Sequence, residues 1–134
     1  MRAILLIMIG LSWLYSAEIF TDKTTGLVWQ DDSDAKSVKK DWSDAKEYCQ
    51  NLTLEGQGDW RLPTIKELQS IVDIKKSNLA IKDGFKNVAS DFYWSSSETV
   101  SDSSQAWHVH FSSGSPSSTY KSYKNYVRCV RGRQ

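Results

Sequence analysis

The sequence predicts a single α+β domain. After one short strand come two stretches of helical periodicity, short alternating apolar segments crowd the second half, and one cysteine falls in each kind of element. The first strand is expected in Thr25-Gly26-Leu27-Val28-Trp29-Gln30, a turn signal followed by a short apolar run. Asp31 to Lys40 is polar and charge-mixed and reads as a solvated loop. Asp41 is a good N-cap, Asp44 adds negative charge to a first turn, and Trp42, Ala45, Tyr48, Cys49 and Leu52 recur on one helical face. Gly56 and Gly58 end that element. A second amphipathic helix follows from Ile65, Leu68, Ile71 and Val72 to about Asp73, with Thr64 and Glu67 as a capping box behind Pro63. Residues 75–90 lack a period and read as an irregular connection anchored by Phe85.

Strands are then expected at Phe92-Tyr93-Trp94-Ser95, at Ala106 to Phe111 and at Tyr126 to Arg131. Alternation puts Trp107, Val109 and Phe111 on one face and Ala106, His108 and His110 on the other. In the last strand it sets Val127 and Cys129 opposite Tyr126, Arg128 and Val130. Two serine-rich segments, 95–104 and 112–119, read as loops of a small antiparallel sheet.

The start of the chain sets the compartment. Met1-Arg2 precedes 13 mostly apolar residues from Ala3 to Tyr15, and small residues Ser16 and Ala17 lead into polar sequence at Glu18. That order reads as a secretory signal peptide, residues 1–17, and the run is too short to span ~30 Å of hydrocarbon. The mature chain from residue 18 has no second apolar segment, so it is expected to be exported, to the periplasm or beyond, without a membrane span. Its length suits one domain able to bury its own core.

With Arg2 removed the mature chain is formally neutral, but the charge is uneven. From Trp107 onward there are five basic residues, Lys121, Lys124, Arg128, Arg131 and Arg133, and no acid. Such a patch points to a polyanionic partner. The 2 cysteines, Cys49 and Cys129, most simply pair with each other in an oxidising compartment. The rival reading is a catalytic thiol, which an unpaired cysteine would favour.

Thr25-Gly26-Leu27-Val28-Trp29-Gln30, Trp42-Ser43-Asp44-Ala45, Tyr48-Cys49, Asp59-Trp60-Arg61-Leu62-Pro63-Thr64, Glu67-Leu68, Tyr93-Trp94-Ser95-Ser96 and Val127-Arg128-Cys129-Val130-Arg131-Gly132 occur in register over nearly the whole mature chain. Together they resemble the Lcl C-terminal domain family, named for the end domain of a bacterial collagen-like adhesin. The Arg-Leu-Pro-Thr turn and the closing segment are also similar to formylglycine-generating sulfatase-modifying domains. Both resemblances imply a C-type-lectin-like fold, in which a disulfide commonly ties the first helix to the last strand. The adhesin resemblance implies glycosaminoglycan binding. No collagen-like Gly-x-y segment and no lectin calcium loop occurs in these residues, so calcium-dependent sugar binding is not carried over.

The chemistry is weighed against plain structure. His108 and His110 have a spacing that two metal ligands could use, but no third ligand is spaced to join them, so they read as partly exposed polar residues and no metal or other cofactor is expected. Sulfatase-modifying oxidation needs cysteines placed for copper chemistry, which one helix cysteine and one strand cysteine do not offer. No nucleophile elbow or singled-out acidic pair marks a hydrolase, and no catalytic residue is assigned. Trp60 and Arg61 read as structural. The expectation is a non-enzymatic binding or adhesion module for an acidic, sulfated glycan or a cell-surface protein. A structural or assembly subunit of the periplasm is the alternative, and nucleic acid is excluded as a partner for an exported neutral domain with no nucleic-acid module.

Overall fold

The computed structural model describes residues 17–132. The signal peptide expected over residues 1–17 and the basic residue Arg133 lie, but for Ala17, outside the described residues. Eight strands, two α-helices and a 3-10 turn follow the chain: β1 (Ile19–Thr21), β2 (Val28–Gln30), the turn Ser33–Lys36, β3 (Lys39–Lys40), α1 (Trp42–Asn51), α2 (Ile65–Ser70), β4 (Phe92–Glu98), β5 (Gln105–His110), β6 (Ser115–Tyr120), β7 (Asn125–Tyr126) and β8 (Val130–Arg131). The fold is α+β, as the sequence predicts. It has two sheets instead of one, ordered β1-β2-β8 and β3-β7-β4-β5-β6. All pairings are antiparallel except β4 with β7. Among the described residues no helix is long and apolar enough to cross a membrane.

Both helices start where the sequence marks them. Asp41 caps α1 by accepting from Asp44 N–H at 2.9 Å. Thr64 and Glu67 close a reciprocal capping box, satisfying two of the backbone donors that a helix start leaves unpaired. The Glu67 carboxylate also takes a two-pronged bond from Arg61 at 2.7 and 2.8 Å. Burial alone would raise the Glu67 pKa, but Arg61 and the cap bonds outweigh it and hold the group ionised below its ordinary range. The backbone of Arg61 exchanges two hydrogen bonds with Val130, at 2.9 and 2.8 Å, so the turn before α2 is clamped to β8. Trp60 is buried and its indole donates to Gln57 O at 2.8 Å. This segment is structural.

The core has two lobes. One gathers Trp42, Cys49, Trp60, Trp94 and Val127 around the Cys49–Cys129 disulfide, whose Cα atoms are 5.6 Å apart. That bond ties α1 to the segment just before β8. The other lobe gathers Trp29, Leu68, Ile71, Tyr93, Val109 and Phe111 beneath α2. Phe85 anchors the irregular connection as expected, its ring 4.2 Å from that of Phe20.

Four expectations are corrected by the packing. First, Asp31 to Lys40 is no solvated loop: Asp31 and Ala35 are buried, and the segment folds as the 3-10 turn and β3. Second, the serine-rich segments supply strands. β4 runs on through Ser95–Glu98, where its register with β5 shifts between Trp94 and Glu98. That irregularity frees Ser96 N–H to bond Pro63 O at 2.7 Å and Ser97 Oγ to accept from Ile65 N–H at 2.9 Å. β6 is serine-rich and pairs with β5 residue for residue, so ladder bonds override weak strand propensity. Third, His108 is buried while Trp107 reaches the surface. Fourth, Tyr126 to Arg131 is broken into β7 and β8, and Val127, Arg128, Cys129 and Val130 are all buried. Alternation marks an exposed face only where one face meets water, and this segment has core on both sides.

Candidate functional site

The structure does not assemble the five basic residues expected of the C-terminal patch. Arg128 is 0% exposed. Its guanidinium donates to Gln30 O, to Asn87 O and to Asp31 Oδ1 at 3.2 Å, between the rings of Phe85 and Tyr93 at 5.0 and 5.5 Å. It cannot meet a glycan. Arg131 donates to Gly58 O at 2.9 Å and to Gln57 Oε1 at 3.2 Å and lies on β8, in the other sheet from β6 and β7. Arg133 is outside the described residues.

Lys121 and Lys124 remain together, on the turn between β6 and β7. Lys121 is pinned through its backbone, accepting from Trp42 N–H at 3.0 Å and donating to Ser104 O at 2.9 Å; Tyr123 N–H to Tyr120 O, 3.1 Å, closes the turn. The Lys121 ammonium donates to Glu98 Oε2 and Ser103 O, both at 2.6 Å, and sits 4.3 Å from the centre of the Trp42 ring. The lysine hydrogen bond, followed by its charge, lowers the pKa of Glu98. Lys124 is exposed and without a partner among the described residues. Tyr120 and Tyr123 are 49% and 58% exposed, edge to face at 5.9 Å.

The fold adds one cation that the sequence reading missed. Lys46, on α1, lies over the same Trp42 ring at 4.3 Å and lines a small cleft with Arg61, Gln50 and Ser96. Its only sequence signal is its place one turn after Trp42, which says nothing of the β6–β7 turn far along the chain.

The histidines are occupied in structure. His108 Nδ1 pairs with Asn125 Oδ1 at 3.0 Å and Nε2 with Ser117 Oγ at 2.7 Å, its ring stacked on Phe92 at 3.9 Å. Burial, with the nearby His110 charge, lowers its pKa against the opposing pull of Asn125 and Asp91. Its Nδ1–H then donates to Asn125, and Nε2 accepts from Ser117. The residues offered as partly exposed are therefore divided: His108 is inside and His110 is half-buried.

A cavity of about 440 Å³ lies between the 3-10 turn and α1. Asp34, Asp44 and Glu47 line it against the single cation Lys40, so it disfavours a polyanion. Tyr48 at its floor donates to Asp34 Oδ2 at 2.8 Å and accepts from Gln30 Nε2 at 3.0 Å. Burial, then the Asp34 bond, pushes the Tyr48 pKa well up, so the phenol stays a donor.

The described residues form a small disulfide-tied α+β domain that presents a basic, aromatic turn on its surface. The particular family is shown by the sequence: the profile of the Lcl C-terminal domain matches residues 18–131, and the chain belongs to that family. No curated protein matches the chain.

Proposed function

We propose that the chain is an exported, non-enzymatic binding module of the cell envelope that takes an acidic, sulfated glycan. The observation that carries this reading is the Tyr120–Lys124 turn. Two lysines and two exposed tyrosines stand on one rigidly held turn, with Lys46 contributed by α1 across Trp42. Ammonium groups bond sulfates and carboxylates, and tyrosine rings supply contact area at low entropic cost. Exposed ionic contacts contribute about 0.2–1 kcal/mol each, so several must act together.

Retention of the mature domain on immobilised heparin at low salt tests the reading. The wild type should be retarded, and retention should fade as salt shortens the screening length to about 10 Å at 0.1 M. Replacing Lys46, Lys121 and Lys124 together by Ala should abolish retention. Glu98→Gln releases the Lys121 ammonium and should increase it. A wild type that elutes no later than the triple variant refutes the proposal.

A further inference from the structure

A second surface, which meets the lysine turn at Tyr120, holds a groove whose lining is uncharged. Trp107 lies at the middle of β5 but is 36% exposed. Ile65, Gln69, Trp107 and Pro116 line a groove of about 220 Å³. Register places Ser118 opposite Trp107 and Tyr120 opposite Gln105, so Trp107, Gln105, Ser118 and Tyr120 share one sheet face. Trp107 and Tyr120 are diagonal neighbours, about 7–8 Å apart at the backbone, both with exposed rings. Between them Ser118 Oγ donates to Gln105 Oε1 at 2.9 Å. Neither the Trp107 indole N–H nor the Gln69 side-chain amide has a partner among the described residues.

We infer that this face is a saccharide site for the ring face of an uncharged pyranose chain, with Trp107 as its platform and Tyr120 as a second stacking ring. A neutral pyranose has an apolar C–H face and a rim of hydroxyls. The exposed indole meets the first, and the free Gln69 amide and indole N–H meet the second. Lysine, arginine and carboxylate are all absent from the groove lining, which gives an anionic sugar no attraction there. The groove is small, about 220 Å³, and its lining is uncharged, so it suits one neutral sugar ring. The inference rests on the proposed glycan-binding function and adds a second ligand chemistry to it, by stacking instead of charge.

The test follows the Trp107 indole N–H by proton–nitrogen correlation NMR of the labelled mature chain. The probes are cellohexaose, maltohexaose and the hexamer of N-acetylglucosamine, with heparin as the charged comparison. At least one neutral hexasaccharide should move the Trp107 signal, equally at low and high salt. The shift should persist in the Lys121→Ala/Lys124→Ala variant. Trp107→Ala should weaken binding at least about tenfold and Gln69→Ala by less. The wild-type titration stands whether or not Trp107→Ala folds. If no neutral probe at millimolar concentration moves the signal, the inference is overturned. It is also overturned if the signal moves with protein concentration alone, since a second copy would then cover the ring, or if only heparin moves it. Neutral binding without heparin retention would sustain this site and remove the lysine-turn reading.

Discussion

Arg128→Ala separates a buried structural cation from a ligand contact. The guanidinium is fully enclosed and is the counter-charge of Asp31, whose carboxylate also accepts from Lys86 and Asn87 backbone N–H at 2.9 and 3.0 Å. Alanine leaves that carboxylate buried with two backbone donors and no cation, and frees the carbonyls of Gln30 and Asn87. Removing one partner of a buried pair costs about 3–5 kcal/mol. Near 100 residues each kcal/mol lowers the melting temperature by about 4 °C, so the drop should be about 12–20 °C. Asp31→Asn relieves the unpaired charge, and the Asp31→Asn/Arg128→Ala double variant should lose much less than the sum of the single changes. Thermal and urea unfolding measure the loss, and heparin retention well below the melt should equal that of the wild type. An Arg128→Ala domain that melts within about 4 °C of the wild type yet no longer binds heparin would refute this account.

Other outcomes follow from the same packing. Trp60→Ala should destabilise the domain by about 3–5 kcal/mol in urea unfolding, since the ring is 2% exposed in the disulfide lobe. Replacing both Cys49 and Cys129 by Ala should cost up to about 4 kcal/mol, because the bridge spans a separation of 80 residues and its loss widens the unfolded ensemble; mass spectrometry after alkylation without reductant should find no free thiol in the wild type. Gly114→Ala should cost about 2–4 kcal/mol by calorimetry: Gly114 has φ of 81° and an added Cβ would lie 2.3 Å from Val72 Cγ1. The lowered pKa of His108 means that the folded state binds fewer protons than the unfolded. Its contribution is therefore complete above the ordinary value of 6.5 and declines as pH falls through it, levelling off below the depressed folded value. His108→Gln should flatten that part of the stability profile measured by urea titration; an unchanged slope would show that other groups cause it.

Local chemistry made several features legible before any fold was known. Asp41, Thr64 and Glu67 announce helix starts because capping is settled within four residues. Cys49 on an apolar helical face and Cys129 in an apolar run imply inward positions, and the 2 thiols have only each other to meet. Family membership is legible for the same reason, as its motifs are short and lie in fixed order. What tertiary structure decided is which surfaces face water. Arg128 and His108 alternate with apolar neighbours as exposed residues would, but both point into the protein, where Asp31, Asn125 and Ser117 pair with them. Ser115–Tyr120 has the composition of a loop and becomes a strand because β5 offers it a complete ladder. Lys46 and Lys121 are brought to the same Trp42 ring by packing between distant segments, which no local period records. A sequence period reports one covered face. Where a segment is enclosed on two sides, or where two surfaces meet across the chain, only the folded packing assigns exposure and neighbours.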